Sequence, residues 1–310
     1  MDAATETLDR SLFEPVGKNR ELMEAIERPN LTYWQDAWRR LKANRMAMFA
    51  LCVVGLYVIM AVVGPWMTSH GYTTTNAKAT DALPSASHWF GTDMLGRDLW
   101  SRVWMGARTS LMIGFVATLL NTIVGGIVGG VAGYYGGKLD MILMRVVDVL
   151  YGIPYIIVAI LMMVVMEPGI GSLIVAMVVT RWIGMARFVR GEVLRVKESD
   201  FVAAARVLGA SDATILIRHI APNLMGLIIT NTMMAIPNAI FTEAFLSFIG
   251  LGIQPPECSW GLLAREGSQT LSIYPLKLFF PAFFISTTML ALNLLGDGLR
   301  DALDPRLRGE

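Results

Sequence analysis

Three ionisable side chains lie inside or at the edge of long apolar runs: Asp148, Arg181 and Glu243. A charge placed in hydrocarbon costs about 3 kcal/mol or more, so each should face protein or water. Arg181 falls in mid-run and Glu243 nearer the far end of its run, and a direct pair between them is one arrangement open to the chain. Pro154 lies in the run that holds Asp148 and Pro237 in the run that holds Glu243, and a proline there removes a backbone hydrogen bond and often kinks a helix. Pro154, Arg181, Pro237 and Glu243 are therefore candidates for lining a pathway, with structural packing as the equal alternative. Bond chemistry has little support. His70, His88 and His219 lack metal-ligand spacing, and no metal site is expected. Gly137 and Lys138 invite a phosphate-loop reading, but Ala132 stands where the first Gly of G-x-x-x-x-G-K-[ST] belongs and Leu139 where Ser or Thr belongs. The chain is expected to hold no ATP-binding loop of its own.

The elements that position these residues follow from composition. Of 310 residues, 54% are hydrophobic and 16% charged, too apolar for an ordinary soluble domain. The net charge of +1 gives no pointer to nucleic acid. Apolar runs long enough to cross a bilayer, ~20 residues, fall at 46–68, 108–135, 146–166, 170–190, 223–250 and 276–296. Irregular backbone is unstable against lipid, so these should be helices, and the fold is expected to be all-α and polytopic. The polar first 45 residues lack an apolar stretch with a cleavage site and are not a secretory signal. Within them Trp34, Trp38, Leu41 and Arg45 share one helix face, suited to the membrane interface or to packing on another subunit. Cys52 in a span and Cys258 in a loop are not expected to pair.

Basic residues concentrate at 39–45, 187–218 and 300–308, which supports six spans with both termini inside. The expected divisions are an inside tail at 1–45, a first span at 46–68, an outer loop at 69–107, a helical core at 108–300 and an inside tail at 301–310. Arg97, Arg102 and Arg108 run against the charge rule and need compensating partners. Asp93 and Asp98 can offset part of that charge, and Trp100 and Trp104 are expected to rest at the lipid interface beneath a folded outer cap. Gly125, Gly129 and Gly133, four apart, predict a close helix-packing surface.

A polar stretch at 191–222 interrupts the spans on the inside. Its pattern predicts a helix from about Ser199, a break at Gly209, a second helix capped by Ser211 with Asp212 in its first turn, and a stop at Pro222. Such a two-helix knob suits docking to another protein. The spacing AAA-x-x-x-G at 203–209, followed by Ile217, Ile220 and Pro222, resembles the EAA coupling loop of ABC-transporter permeases. Ala203 stands where that loop usually has Glu, which removes a carboxylate and leaves the helix-Gly-helix shape. The segment HWFGTDMLGRDLWSRVWMGARTSL at 88–111 is similar to the GTD-x-x-GRD-x-x-SR-x-x-x-GAR motif of the dipeptide and oligopeptide importer subgroup. EAFLSFIGLGIQP, SWGLL and LLGDGLRDALDPR near the end resemble its C-type permease subunit.

That resemblance implies the type I ABC importer permease (MetI-like) fold and a place in a bacterial cytoplasmic (inner) membrane. It implies a homologous second permease subunit, two ATPase subunits that bind ATP and Mg, and an extracellular or periplasmic solute-binding protein delivering peptide. It makes Asp200, Ala203, Ala204, Ala205, Gly209, Ala210, Ser211, Arg218 and Pro222 the ATPase-coupling residues. The outer motif is Gly91, Thr92, Asp93, Gly96, Arg97, Asp98, Ser101 and Arg102, with Arg97 expected to contact the binding protein or the partner permease. The chain itself is then no enzyme. Nickel, haem or another small solute remain open as cargo. A self-sufficient secondary transporter or channel is the competing class.

Overall fold

The computed structural model describes residues 32–303. Expectations for residues 1–31 and 304–310 lie outside it. The described chain is helical, with one isolated β-bridge between Thr92 and Asp98.

Five helical runs are long and apolar enough to cross a membrane: Arg45–Trp66, Leu99–Tyr135, Ile170–Val196, Asp212–Phe248 and Leu276–Leu303. The predicted third span is not one straight helix. Gly137–Tyr151 and Tyr155–Val165 meet at an 81° bend. Pro154 stands immediately before the second segment, at φ −56° and ψ 122°, and it has no N–H with which to continue the first. In order, the helices are α1 (Tyr33–Ala43), α2 (Arg45–Val63), α3 (Leu99–Tyr135), α4 (Gly137–Tyr151), α5 (Tyr155–Val165), α6 (Ile170–Val196), α7 (Asp200–Val207), α8 (Asp212–Thr214), α9 (Ala221–Phe248), α10 (Trp260–Gln269) and α11 (Leu276–Leu303).

The glycine stripe behaves as predicted. A Cβ on Gly129 would come within 2.2 Å of the Ala186 carbonyl oxygen, and one on Gly125 within 2.5 Å of the Trp182 carbonyl oxygen. Backbones of α3 and α6 thus touch directly, an approach open only to glycine. Gly126, on another face of α3, meets nothing within 4 Å.

Ile113, Ala117, Leu173, Met177, Leu246 and Leu262 form one buried core between α3, α6, α9 and α10. Tyr57, Trp104, Trp260 and Phe284 anchor a second. Around them Phe49, Ile59, Val164 and Phe279 stay exposed, as a lipid-facing surface requires. On α1, Ala37 and Leu41 are buried while Trp34 and Trp38 are exposed, and Arg45 lies beyond the Asn44 break, at the start of α2. Gly298 of α11 receives Leu41 and Ala47.

Candidate functional site

At one end of the bundle the chain turns between α6 and α9. α7 follows a bend at Ser199 and buries Val202 and Ala205 against Tyr134, Val193, Ile215 and Ile220. Asp200, Ala203 and Ala204 face outward. Gly209 adopts φ +83°, and its neighbour's N–H, on Ala210, donates to the Ala205 carbonyl at 3.0 Å. This is the left-handed helix ending predicted for it. The Ser211 hydroxyl accepts from the Thr214 N–H at 3.3 Å and so caps the next helix.

Pro222 is not a stop. It lies inside the continuous helical run Asp212–Phe248, directly after a π-helical stretch at Ile215–Ile220 whose wider turn accommodates the missing N–H. The second arm of the knob is therefore the end of a membrane helix, Asp212–Phe248. Arg218 and Pro222 lie exposed along it. The knob is tied to α3 twice: the Tyr134 hydroxyl donates to Asp212 at 2.7 Å, and Lys197 donates to the Gly133 carbonyl at 3.1 Å. Its tip presents Val207, Leu208 and Ile217, which are 88%, 86% and 71% exposed.

The opposite end is closed by the loop before α3. Gly91 and Gly96 take φ +79° and +70° in its turns, and the Thr92 N–H donates to the Ala82 carbonyl at 3.0 Å. Asp98 caps α3 by accepting from the Ser101 N–H at 3.0 Å, and it takes His88 at 2.9 Å on its other oxygen. Asp93 accepts from Arg97 Nε at 2.6 Å and from Arg102. The charge missing from the sequence reading is Glu266 of α10, which accepts Arg102 at 2.6 Å and lies 3.5 Å from Arg97. Arg108 donates instead to the carbonyls of Ala61 and Val62.

These contacts correct two expectations. Arg97 is only 8% exposed and faces Asp93, so its charge is spent within the cap and not offered to a docking partner. Trp104 is buried and Trp100 donates to the Gly64 carbonyl at 2.9 Å, its ring edge-on to Phe90. Both belong to an aromatic core in which their rings meet Tyr57, Phe90 and Phe284 edge to face. Beside this core, burial pushes the Cys258 thiol up from its ordinary value, opposed by the Arg102 guanidinium that donates to its sulfur.

Between the two ends, Arg181 and Glu243 do not pair. Glu243 is fully buried and accepts from Ser110 at 2.6 Å and Ser247 at 2.8 Å. Arg181 turns the other way. It donates to Thr242 at 2.7 Å and lies over the Tyr155 ring, just past the Pro154 bend. It lines a cavity of about 240 Å³ with Thr118, Asn121, Thr122, Asn231 and Asn238. Pro237 is buried within α9, one residue before Asn238. The asparagines escaped the sequence reading, although Asn121, Asn231 and Asn238 are polar interruptions of apolar runs.

Residues 125–309 match the family described as binding-protein-dependent transport system inner membrane component. Residues 32–84 match the N-terminal TM domain of oligopeptide transport permease C. The chain is 52% identical to the dipeptide transport system permease protein DppC of Bacillus subtilis (strain 168), covering 94% of this chain and 91% of the relative. Against the oligopeptide permease OppC of the same organism identity is 45%, over 98% and 99%. A glutathione transport system permease protein, GsiD of Escherichia coli O6:K15:H31, is 44% identical over 90% and 92%. Among solved structures, the inward-facing MetNI methionine ABC transporter shares the fold: TM-score 0.50, 18% identity, 66% of this chain and 94% of that one.

Proposed function

The chain belongs to the binding-protein-dependent transport system inner membrane components, and from that premise we propose that it is the C-type permease subunit of an ATP-driven importer of short peptides. In this reading it lines half of a translocation pathway, beside a homologous second permease subunit. Two ATPase subunits, which bind ATP and Mg, dock on the knob, and a solute-binding protein delivers cargo at the cap end. Both termini and the knob lie in the cytoplasm.

The observation that carries this reading is the knob. Its exposed Val207, Leu208 and Ile217 offer an apolar face to a partner. Its base is held to α3 by Asp212 and Lys197, and its second arm continues as the helix bearing Asn231, Asn238 and Thr242. A push on the tip therefore moves the wall of the polar cavity as a lever. The name of one relative adds glutathione to the peptide cargoes, which is itself a tripeptide-like solute. Nickel and haem are the cargoes that a transport assay must exclude.

The test is co-purification of this chain, from the cell that makes it, with an ABC ATPase whose hydrolysis rises when loaded binding protein is added. A permease that purifies without an ATPase and moves solute down an ion gradient would favour the secondary-transporter reading. Orientation is tested by single cysteines in a background lacking Cys52 and Cys258. Positions Ser85 and Ser268 should label with an impermeant reagent in intact cells. Labelling at Ser199 would reverse the topology.

A further inference from the structure

Arg181 carries a charge at membrane depth without a carboxylate. Glu243, the one acidic residue of the facing helix α9, is engaged by Ser110 and Ser247. Among the described residues no acid lies within ion-pair distance of the guanidinium, and Nε is buried with no acceptor. The same cavity holds a second unmet group: Asn121 is buried and its Oδ1 has no donor. An uncompensated cation and an orphaned amide oxygen in one polar recess are costly in a membrane and need a visitor to satisfy them.

We propose that this recess is a substrate subsite, in which Arg181 takes a carboxylate and Asn121 takes an adjacent amide N–H of the cargo in transit. The guanidinium is planar and presents parallel N–H donors, the geometry that a carboxylate matches. Thr242 holds Nη2 and the Tyr155 ring supports one face, which leaves Nη1, neither buried nor bonded, to the visitor. Asn231 and Asn238 line the same cavity and supply further amide donors and acceptors. A carboxylate next to an N–H is the chemistry of a peptide's last residue, and an acidic side chain offers the same anion. The site deepens the peptide-importer reading and rests on it for its cargo. It makes the permease, and not only the binding protein, selective for charge.

The test uses the complete complex in nanodiscs without binding protein. Three probes are compared: radiolabelled tri-alanine, its C-terminal amide, and the C-terminal amide of Ala-Asp-Ala. Arg181→Gln should weaken binding of tri-alanine by about tenfold or more, the loss of one charge-assisted contact. Binding of the amide, which lacks the carboxylate, should not weaken, and Arg181→Lys should restore much of the preference. A matching loss for the Asp-containing amide assigns the site to any carboxylate; its absence assigns it to the main-chain terminus. Equal losses for tri-alanine and its amide, or no loss for either, overturn the proposal. So does dissociation of the Arg181→Gln complex, which would place the guanidinium at a subunit contact. Benzoate against benzamide, followed by NMR, separates this site from the cargo assignment. Benzoate lost on Arg181→Gln in a complex that imports no peptide upholds the anion site and discards the peptide.

Discussion

Arg102 has no exposed surface, and its charge is met by Asp93 and Glu266 together. Removing one member of a buried ion cluster strands the others, at about 3–5 kcal/mol. Arg102→Ala should therefore lower the thermal midpoint of the detergent-solubilised complex sharply, and Glu266→Gln less, because Glu266 is partly exposed. Equal midpoints for wild type and Arg102→Ala would mean that the cluster is not needed for the cap. Cys258 offers a chemical readout of the same core. Its raised thiol means less thiolate at neutral pH, so alkylation in the native complex should lag behind that of the unfolded chain. The folded state also holds this proton more tightly than the unfolded chain. Stability should thus fall as pH rises past the ordinary thiol value of 9.0. The motif residues of the cap were legible in sequence because they are neighbours within one segment. Glu266 was not, since 164 positions separate it from Arg102 and only the fold brings α10 over the loop.

Helix contacts decide the next scale. Gly129→Ala places a methyl against the Ala186 carbonyl and should push α3 from α6, lowering stability, whereas Gly126→Ala enters open space and should be tolerated. Thermal midpoints of the two variants, measured side by side, check this. At Gly209 the obstacle is conformation and not space, since no atom lies within 4 Å of an added Cβ. Gly209→Val should uncouple ATP hydrolysis from uptake with the complex still assembled, while Gly209→Asn, which enters the left-handed region more readily, should keep more coupling. Normal transport by Gly209→Val would remove the knob's break from the account. The long helices, the glycine stripe and the knob were readable from apolar length and spacing; of the six expected spans, five are unbroken helices and the sixth is the bent pair Gly137–Tyr151 and Tyr155–Val165. The 81° bend was not, because the run at 146–166 is apolar on both sides of Pro154. The segment before it carries Asp140 and Asp148, which Arg190 and Arg187 of α6 hold in place. Pro222 misled for a related reason: a proline that ends a helix and a proline carried through one by a π-helical turn look alike until the backbone is seen.

At the scale of the whole molecule, one chain supplies a cap, a polar recess and a lever, with α9 running from the lever past the recess. Exposed apolar surface surrounds all three, which suits lipid and a second subunit but does not by itself divide the two. Sequence likeness carried the family, and the charge bias of the loops is what the proposed orientation rests on. Neither could bring Arg181 and Asn121 to one cavity, because that depends on the close packing of α3 with α6. The central claim is that this chain moves peptide only as part of an ATP-driven complex. Proteoliposomes containing this permease, its homologous partner and the two ATPases should accumulate labelled tri-alanine from loaded binding protein when ATP is present on the knob side. They should stop when ATP is withheld or when the tip residues Val207 and Leu208 are replaced by Asp. Accumulation by the permease alone, driven by an ion gradient and indifferent to ATP, would contradict the account.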